Sequence, residues 1–170
     1  MGQIVVRNIT TSYGELIIGS FEEGLCLCDW RYRKARTTID NRLTRIFNAE
    51  MVEGNDPLLD QTEVELNEYF NRQRHSFSLP LRFGGTAFQE QVWQQLLKIP
   101  YGRTTTYGAI ARDLDFVNGS RPVAGSVGAN AISILVPCHR VIGQNKKLTG
   151  YAGGLPVKKK LLILEQERLF

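Results

Sequence analysis

The spacing of the apolar residues changes near the middle of the chain, and this change limits the possible folds more than any other feature. Three short strand-like runs come first: Ile4–Val6, Leu16–Ile18 and Leu25–Trp30. Gly14 and Gly24 separate these runs, which is a pattern typical of an antiparallel meander. Two helical stretches follow at 38–47 and 57–70, the second with a rough apolar face. The first half therefore predicts a small antiparallel sheet accompanied by helices.

The second half of the chain has mostly helical spacing. Thr86 and Gln89 form a capping box in front of a helix over 87–97. A short helix over 107–114 and another that begins near Ser120 are joined by a glycine-containing turn. Such a pair is a helix-turn-helix candidate, although many helix pairs with this pattern bind nothing.

The carboxyl end combines basic residues with glycine and proline. Residues 141–143 and 147–149 flank a basic turn and predict a hairpin. A final helix is expected over 156–169. Lys158–Lys160 lie in its first turn, the unfavourable end for positive charge. We expect these lysines to be solvated, with phosphate contact as the alternative.

A polar segment over 71–80 separates the two halves and ends at Pro80, so it is a natural linker. We expect an amino-terminal α/β domain over residues 1–79 and a carboxyl-terminal domain over residues 80–170. A chain of 170 residues is long enough for two small domains. Its 42% hydrophobic and 22% charged residues are typical of a soluble globular protein. The formal charge of +4 alone is a weak indication of a nucleic-acid partner.

Residues 136–142 read VPCHRVI and place a cysteine and a histidine side by side after the apolar run 131–136. Pro137 cannot continue a central strand and biases its predecessor towards extended geometry. The chain therefore turns where the sulfur lies, and the turn can present Cys138 in a cleft. A thiolate beside an imidazole is the usual way to make sulfur nucleophilic near neutral pH. Cys138 is thus a candidate nucleophile.

A buried and inert Cys138 is the simplest alternative, because cysteine often behaves as a small hydrophobe. The adjacent His139 and Arg140 argue against it, since a buried thiol gains nothing from polar neighbours. Cys26 and Cys28 alternate along a strand-like run and are expected to be core residues. The chain has three cysteines and two histidines without a CxxC motif, so we expect no metal site.

The amino-terminal residues lack a basic region followed by a long apolar segment, so no secretory signal is expected. No apolar run approaches the roughly 18 residues of a membrane span. An odd number of cysteines indicates thiols in a reducing compartment. The sequence therefore predicts a cytoplasmic protein without a membrane partner, associated with the nucleoid if its partner is DNA.

The motif around Cys138 is one of several that point to a known family. They are Phe88-Gln89-x-x-Val92-Trp93, Ile99-Pro100-x-Gly102, Tyr107-x-x-Ile110-Ala111, Arg121, Asn130, Pro137-Cys138-His139-Arg140-Val141, Gly150-Tyr151-x-Gly153-Gly154 and Leu161-Leu162-x-x-Glu165. Together they resemble the methylated-DNA–protein-cysteine methyltransferases, also called O6-alkylguanine-DNA alkyltransferases. The resemblance covers residues 80–168 nearly continuously and in order, whereas the amino-terminal half is similar only in layout.

The resemblance implies an α/β (α+β) fold. A small amino-terminal domain of antiparallel sheet and helices would precede a winged helix-turn-helix-like, mostly helical domain with the DNA-binding and active sites. Members bind double-stranded DNA from the minor groove, flip O6-alkylguanine out of the stack and transfer its alkyl group to their own cysteine, here Cys138. Nothing in this sequence could cleave the thioether product, so each molecule would act once. The expected protein is a monomer without a cofactor.

The resemblance also assigns catalytic roles. His139, linked through a water, would accept the proton of Cys138, and Glu165 would orient the imidazole. An anionic partner favours the imidazolium and hence the thiolate. Tyr107 would protonate or hydrogen-bond the departing guanine anion. Asn130 would brace the turn around the active site.

Further residues would contact DNA or line the pocket for the base. Arg121 would enter the stack in place of the flipped nucleotide, and small residues on the second helix would allow close approach to the minor groove. The implied DNA-binding residues are Arg121, Ser126, Gly128, Ala129 and Thr106. The implied pocket residues are Val141, Tyr151, Ala152, Gly153 and Arg140. Carbonyls of Cys138 and Val141 would accept from the guanine amino group, and the Ala152 N–H would face O6.

Four residues differ from the pattern commonest in the family: Pro122, Ala124, Ala131 and Ala152. They leave open the placement of the second helix and the range of alkyl groups accepted. Activity on O4-alkylthymine is open as well.

Three other functions compete with alkyl transfer. An alkyltransferase-like lesion sensor would keep the arginine and tyrosine but lack the cysteine, so Cys138 argues against it. A thiol hydrolase would use Cys138 with His75 or His139 as base and would turn over repeatedly. A transcriptional regulator would use the helix pair and need a dimerisation element, which the sequence does not show.

Overall fold

A four-stranded sheet forms the centre of the amino-terminal half in the structure, a computed structural model that describes residues 1–166. Its strands are β1 (Gly2–Thr11), β2 (Gly14–Phe21), β3 (Gly24–Trp30) and β4 (Ala49–Glu53). The first three form the predicted antiparallel meander, with Thr11 opposite Gly14 at the first turn. The Thr11 hydroxyl accepts from the Gly14 N–H at 3.1 Å, which closes that turn.

The fourth strand was not expected from the sequence. β4 pairs with β1 in parallel, so the sheet order is β3-β2-β1-β4 and the sheet is mixed. Asn48, in the left-handed conformation at φ 47°, turns the chain directly into this strand. Because β4 has five residues and only Ala49 is buried, it lacks the apolar alternation that identifies a strand.

Two helices lie in the same half, α1 (Arg36–Phe47) and α2 (Pro57–Phe70). Both confirm the prediction, and α1 begins two residues earlier than its apolar residues indicate. The Asp56 carboxylate caps α2 by accepting from the Leu58 N–H at 2.9 Å. The buried residues of the two helices include Ile39, Leu43, Leu59, Leu66 and Tyr69.

The polar segment after α2 is attached to the amino-terminal half. The Glu65 carboxylate accepts from the Ser78 N–H at 2.9 Å and from its hydroxyl at 2.8 Å. Leu25 donates to the Pro80 carbonyl and accepts from the Arg82 N–H, both at 2.8 Å. The chain consequently divides between Gly85 and Thr86, a few residues later than the boundary expected from composition, because residues 80–82 add to the edge of β3.

All seven residues of β3 are buried, and they include Cys26 and Cys28. Burial raises the pKa of the Cys26 thiol to about 12, so this thiol is almost never ionised near neutral pH. The expectation of two core cysteines is confirmed by their burial.

The carboxyl-terminal half is mostly helical, and the α+β fold class is confirmed. Its elements are α3 (Ala87–Leu96), β5 (Thr105–Thr106), α4 (Tyr107–Asp113), α5 (Ser120–Gly128), a 3₁₀ helix (Cys138–Arg140), β6 (Val141–Ile142) and α6 (Leu155–Gln166). The short strands β5 and β6 pair in parallel, Thr105 opposite Val141. Buried Val92, Trp93, Ile110, Val123 and Leu161 contribute to its core.

Two local predictions need correction or lie beyond the described chain. Residues 147–149 form no strand, although all of them are described; Gly143 instead accepts from Lys146 and donates to Lys147 to make a turn. The predicted extension of the last helix to Leu169 falls on residues outside those described. Within residues 1–166, every helix is too short or too polar to cross a membrane.

The capping box of α3 provides a test of how the carboxyl-terminal half is stabilised. The Thr86 hydroxyl accepts from the Gln89 N–H at 3.1 Å, and the Gln89 side chain accepts from the Thr86 N–H at 2.9 Å. Thr86→Ala should lower the free energy of unfolding by about 1 kcal/mol, measured by urea denaturation. Thr86→Ser, which keeps the hydroxyl, should stay near the wild-type value. Equal stability of Thr86→Ala and wild type would contradict this assignment.

Candidate functional site

A tightly hydrogen-bonded turn presents Cys138. The Asn130 side chain donates to the Val136 carbonyl at 2.9 Å and accepts from the Ile132 N–H at 2.9 Å. Residues 131–136 therefore form turns rather than the extended run that their apolar character indicates. Cys138 begins the 3₁₀ helix directly after Pro137 and is 6% exposed. Cys138 is thus almost entirely enclosed by the protein.

The backbone of this turn is strained. Ile134 is buried and has φ 73°, a left-handed conformation that a β-branched residue rarely adopts. Such a residue costs of order 1–3 kcal/mol and persists only where its surroundings enforce it. The Asn130 side chain holds Ile134 in this conformation through its hydrogen bonds to Ile132 and Val136, which lie on either side of Ile134.

A buried cluster of ionisable side chains lies beneath the turn and consists of His139, Glu165 and Arg140. The His139 Nε2 lies 2.7 Å from Glu165 Oε2. Arg140 donates two hydrogen bonds to the same carboxylate, from Nε to Oε1 at 2.8 Å and from Nη2 to Oε2 at 3.0 Å. Its remaining nitrogen donates to the Ile99 carbonyl at 2.8 Å. The resemblance places Arg140 in the substrate pocket, but its guanidinium is committed to Glu165 and Ile99 instead.

The electrostatics of this cluster fix the protonation of His139. Burial by itself raises the pKa of Glu165, but hydrogen bonds from His139 and Arg140 outweigh burial and hold that pKa far below its usual range. Glu165 is therefore a carboxylate that can only accept, so His139 Nε2 carries the hydrogen. Burial, assisted by the positive charges of Arg140 and Lys158, lowers the pKa of His139 although Glu165 opposes the shift. His139 is thus neutral near pH 7, with Nδ1 unprotonated.

The Nδ1 atom of His139 is a hydrogen-bond acceptor that the cluster does not use. It is buried and has no hydrogen-bond partner among residues 1–166. A buried acceptor without a partner is costly, so its presence beside a cysteine is a chemical signal rather than a packing accident. An unprotonated imidazole nitrogen of this kind can accept a proton.

Lys158 corrects a sequence expectation. Its side chain is fully buried rather than solvated, and its Nζ donates to the Val141 carbonyl at 2.7 Å and to the Thr149 carbonyl at 3.0 Å. Burial lowers the pKa of Lys158, whereas negative charge on Cys138 raises it. The attraction is mutual, so this ammonium group favours a thiolate at Cys138.

Tyr107, the first residue of α4, lies close to the same region. Its hydroxyl is 2.7 Å from the Thr149 hydroxyl. The preceding Thr106 caps α4 by accepting from the Ala109 N–H at 3.1 Å, which gives its side chain a structural role; the DNA contact expected of it stays a prediction.

Helices α4 and α5 form the helix-turn-helix candidate. Arg121 and Gly128 are exposed on α5, Ala129 at its end is half-buried, and an added Cβ at Gly125 or Gly128 would meet nothing within 4 Å. That face is therefore open to close approach. Ser126, expected to contact DNA, is 5% exposed and faces inwards, where its carbonyl accepts from the Trp93 indole at 2.8 Å.

The glycine-rich segment lies between β6 and α6. Tyr151, Ala152 and Gly153 are half-buried. The Tyr151 ring stands edge-on to the His139 ring at 6.4 Å. Gly154, at φ 90°, donates to the Tyr151 carbonyl at 2.9 Å. The segment thus forms a turn beside the imidazole, while Val141 is buried with its carbonyl already bound to Lys158.

Sequence reasoning missed Lys158, Thr149 and the true partner of Arg140. A lysine in the first turn of a helix gave a faint signal, because that position is unfavourable for positive charge unless a specific partner compensates. Thr149 gave none. Among residues 1–166 no three His, Cys, Asp or Glu side chains come together in a way that could hold a metal ion.

The fold and the site together define a class: a two-domain protein that combines a helix-turn-helix pair with a candidate cysteine nucleophile. Two family models match the chain in order. The 6-O-methylguanine DNA methyltransferase ribonuclease-like domain matches residues 4–83, and the 6-O-methylguanine DNA methyltransferase DNA binding domain matches residues 87–167. The two matched segments correspond to the two halves described above.

Individual relatives agree with the family models. The inducible methylated-DNA–protein-cysteine methyltransferase of Bacillus subtilis is 42% identical over 120 residues, which cover 71% of this chain and 67% of that protein. The methylated-DNA–protein-cysteine methyltransferase of Methanosarcina acetivorans is 40% identical over 152 residues, covering 89% and 92%. The crystal structure of Mycobacterium tuberculosis OGT in complex with DNA matches with TM-score 0.80 and 35% identity, covering 95% and 92%. The chain belongs to the methylated-DNA–protein-cysteine methyltransferases, an enzyme family, which confirms the resemblance.

The lowered pKa of His139 predicts how stability depends on pH. The ordinary value of 6.5 applies to the unfolded chain, and the folded value lies below it. The unfolded state therefore binds more protons as pH falls below 6.5, so the contribution of His139 is complete above 6.5 and is lost as pH falls through the folded value. The free energy of unfolding, measured with urea, should be smaller at pH 5.5 than at pH 7.5.

His139→Asn supplies the control, because asparagine does not titrate and should remove most of this difference. Glu165 acts in the same direction, but its window lies below its ordinary value of 4.5 and does not overlap. An equal loss of stability in both proteins between pH 7.5 and 5.5 would show that another group is responsible.

Proposed function

We propose that this protein repairs alkylated DNA by transferring the alkyl group of O6-alkylguanine irreversibly to Cys138. The observation that carries the proposal is the buried Nδ1 of His139, which has no hydrogen-bond partner among residues 1–166 and belongs to the residue that follows the nearly enclosed Cys138. Family membership supports the same chemistry, since the relatives are named for transfer from methylated DNA to a protein cysteine.

The first step is removal of the thiol proton from Cys138. His139 Nδ1 accepts it, directly or through a water molecule, and the resulting imidazolium is stabilised by the Glu165 carboxylate at 2.7 Å. Arg140 keeps that carboxylate ionised and immobile. The buried Lys158 ammonium attracts the thiolate from another direction. The charges around the sulfur thus favour its nucleophilic form.

The second step is substitution at the alkyl carbon. A sulfur lone pair forms the S–C bond while the C–O6 bond breaks, and its electron pair remains on the guanine. Tyr107 donates a proton to the guanine anion and recovers one from solvent, and the His139 imidazolium releases the former thiol proton to solvent. The net change replaces the thiol hydrogen by an alkyl group and restores guanine. Because a thioether is a poor substrate for any group in the site, one molecule performs one transfer.

The proposed DNA contact uses the outer face of α5. Arg121 is exposed at the start of that helix, and Gly125 and Gly128 allow the backbone to approach a groove closely. In this proposal α5 enters the minor groove, the damaged nucleotide flips into the site and Arg121 occupies the gap. The structure of a relative in complex with DNA supports DNA as the partner.

The proposed base pocket is formed by the segments on either side of Cys138. The carbonyls of Cys138 and Val141 would receive the guanine amino group, and the Ala152 N–H would face O6. The Val141 carbonyl already accepts from Lys158, but a carbonyl has a second lone pair. Tyr151 and Gly153 would shape the pocket walls. The proposal extends to O4-alkylthymine as a second substrate, to be tested beside O6-alkylguanine.

The proposal includes the setting in which the protein acts. A thiol consumed in a single reaction must stay reduced until it meets a lesion, which a cytoplasmic location on or near the nucleoid provides. We propose that one chain suffices, since every residue assigned to the chemistry lies between Tyr107 and Glu165 of one half.

Intact mass after incubation with duplex DNA containing one O6-methylguanine tests the proposal. The protein should gain one methyl group in place of one hydrogen, on the Cys138 peptide, saturating at one group per molecule. Cys138→Ser should gain none. Cys26→Ser is the matched control and should react like the wild type, because Cys26 is buried in β3 of the amino-terminal half and its pKa is raised to about 12.

Two outcomes would reject the proposal. Tight binding of the lesion without any mass change would indicate a lesion sensor. Repeated turnover of an ester or peptide, with Cys138 regenerated each time, would indicate a hydrolase.

The role of Arg121 can be separated from the chemistry by changing the substrate. Extruding a base costs a few kcal/mol, so Arg121→Ala should slow methyl transfer from duplex DNA by about 10- to 100-fold. Transfer from the isolated base O6-methylguanine should keep its wild-type rate, because nothing has to be extruded. Arg103→Ala, which removes an exposed arginine outside the helix pair, serves as the control. Equal slowing with both substrates would place Arg121 in folding or chemistry instead.

A further inference from the structure

Tyr107 and Thr149 form a hydrogen bond that the chemistry described above does not use. Their hydroxyl oxygens are 2.7 Å apart, although the residues are 42 positions apart in the chain. Tyr107 begins α4, whereas Thr149 lies in the loop after β6. A bond between distant segments beside the nucleophile constrains the site more than a local bond would.

Thr149 is held on three sides. Its carbonyl accepts from the buried Lys158 ammonium at 3.0 Å. Its Cγ2 methyl lies against Gly143, 3.2 Å from where a Cβ on that glycine would stand. A β-branched side chain has few χ1 choices, so contact through the methyl also sets the direction of the hydroxyl. The hydroxyl is thereby directed to Tyr107.

The direction of the hydrogen bond follows from proton counting. A phenol has one hydrogen. If Tyr107 gives that hydrogen to the guanine anion, its oxygen can only accept from Thr149, so Thr149 must be the donor. A donor at the phenol oxygen also stabilises the negative charge that develops there as the proton leaves.

We propose that Thr149 is a positioning residue for Tyr107, donating to its hydroxyl oxygen so that the phenol proton is directed to the departing guanine. Lys158 completes the arrangement, because its ammonium joins the Thr149 carbonyl to the Val141 carbonyl at 2.7 Å. Val141 pairs with Thr105 in the strand that leads into Tyr107. Tyr107 is thus held through its backbone from one side and through its hydroxyl from the other. This inference rests on the alkyl-transfer function proposed above.

Thr149→Val is the informative substitution because it replaces only the hydroxyl by a methyl group. The single-turnover rate of methyl transfer from O6-methylguanine duplex should fall about tenfold, the effect of losing one hydrogen bond to a developing charge. Affinity for the same duplex, measured in a Cys138→Ser background to prevent reaction, should remain within about twofold of that of Cys138→Ser alone. Thr149→Ser, which keeps the hydroxyl, should recover most of the rate.

A double-mutant cycle distinguishes positioning from a general structural defect. If Thr149 acts through the Tyr107 hydroxyl, adding Thr149→Val to Tyr107→Phe should cause no further slowing. Additive slowing in the double variant would overturn the proposal, since damage to the loop would act equally in both backgrounds. A wild-type rate for Thr149→Val would overturn it as well.

Methyl transfer by the wild-type protein distinguishes failure of the Thr149 proposal from failure of the proposed function on which it rests. Absence of methyl transfer by the wild type would remove both. Transfer by the wild type, together with a Thr149→Val rate unchanged from it, would remove only the role of Thr149.

Discussion

The buried carboxylate of Glu165 is the interaction on which the carboxyl-terminal half depends. It accepts from His139 and twice from Arg140 while almost fully enclosed. Removing a charge from water costs several kcal/mol, and only good geometry with all partners present compensates for it. Each member of the cluster therefore requires the others. The Glu165 carboxylate determines which nitrogen of His139 carries the hydrogen. Arg140 holds that carboxylate in position, and the carbonyl of Ile99 orients the guanidinium of Arg140.

This dependence explains why the site combines strain with rigidity. The turn before Cys138 contains a left-handed Ile134 and is bridged by the Asn130 side chain. Strain of this kind is stable only when the surrounding structure is stiff. The ion cluster below the turn and the Lys158 bonds beside it provide that stiffness. The surrounding structure consequently holds Cys138 in a fixed position.

The sequence predicted the parts of the structure that depend on local patterns. The meander, the capping box at Thr86 and the helix pair follow from periodicity and capping chemistry, which a single segment contains in full. β4 could not be predicted, because its pairing with β1 depends on a distant strand and its own apolar alternation is weak. Within the site, Cys138 was singled out by its local sequence, and the family motifs paired His139 with Glu165, which the structure brings within 2.7 Å of each other. Lys158 was taken for a solvated residue because the carbonyls that satisfy it, those of Val141 and Thr149, belong to other segments. Arg140 was likewise predicted to line the base pocket, because the sequence alone does not show that it pairs with Glu165.

Helix α6 has a further consequence, because it bears both the buried ammonium of Lys158 and the buried carboxylate of Glu165. Seven residues correspond to about two helical turns, so Lys158 and Glu165 lie on one face, with their backbone positions about 10 Å apart along the helix axis. Lys158 has to reach the carbonyls of Val141 and Thr149 while Glu165 reaches His139 and Arg140. One residue inserted between Lys158 and Glu165 would rotate one side chain about the helix axis by about 100° relative to the other. The seven-residue spacing of Lys158 and Glu165 is therefore as much a part of the site as the identity of the two residues.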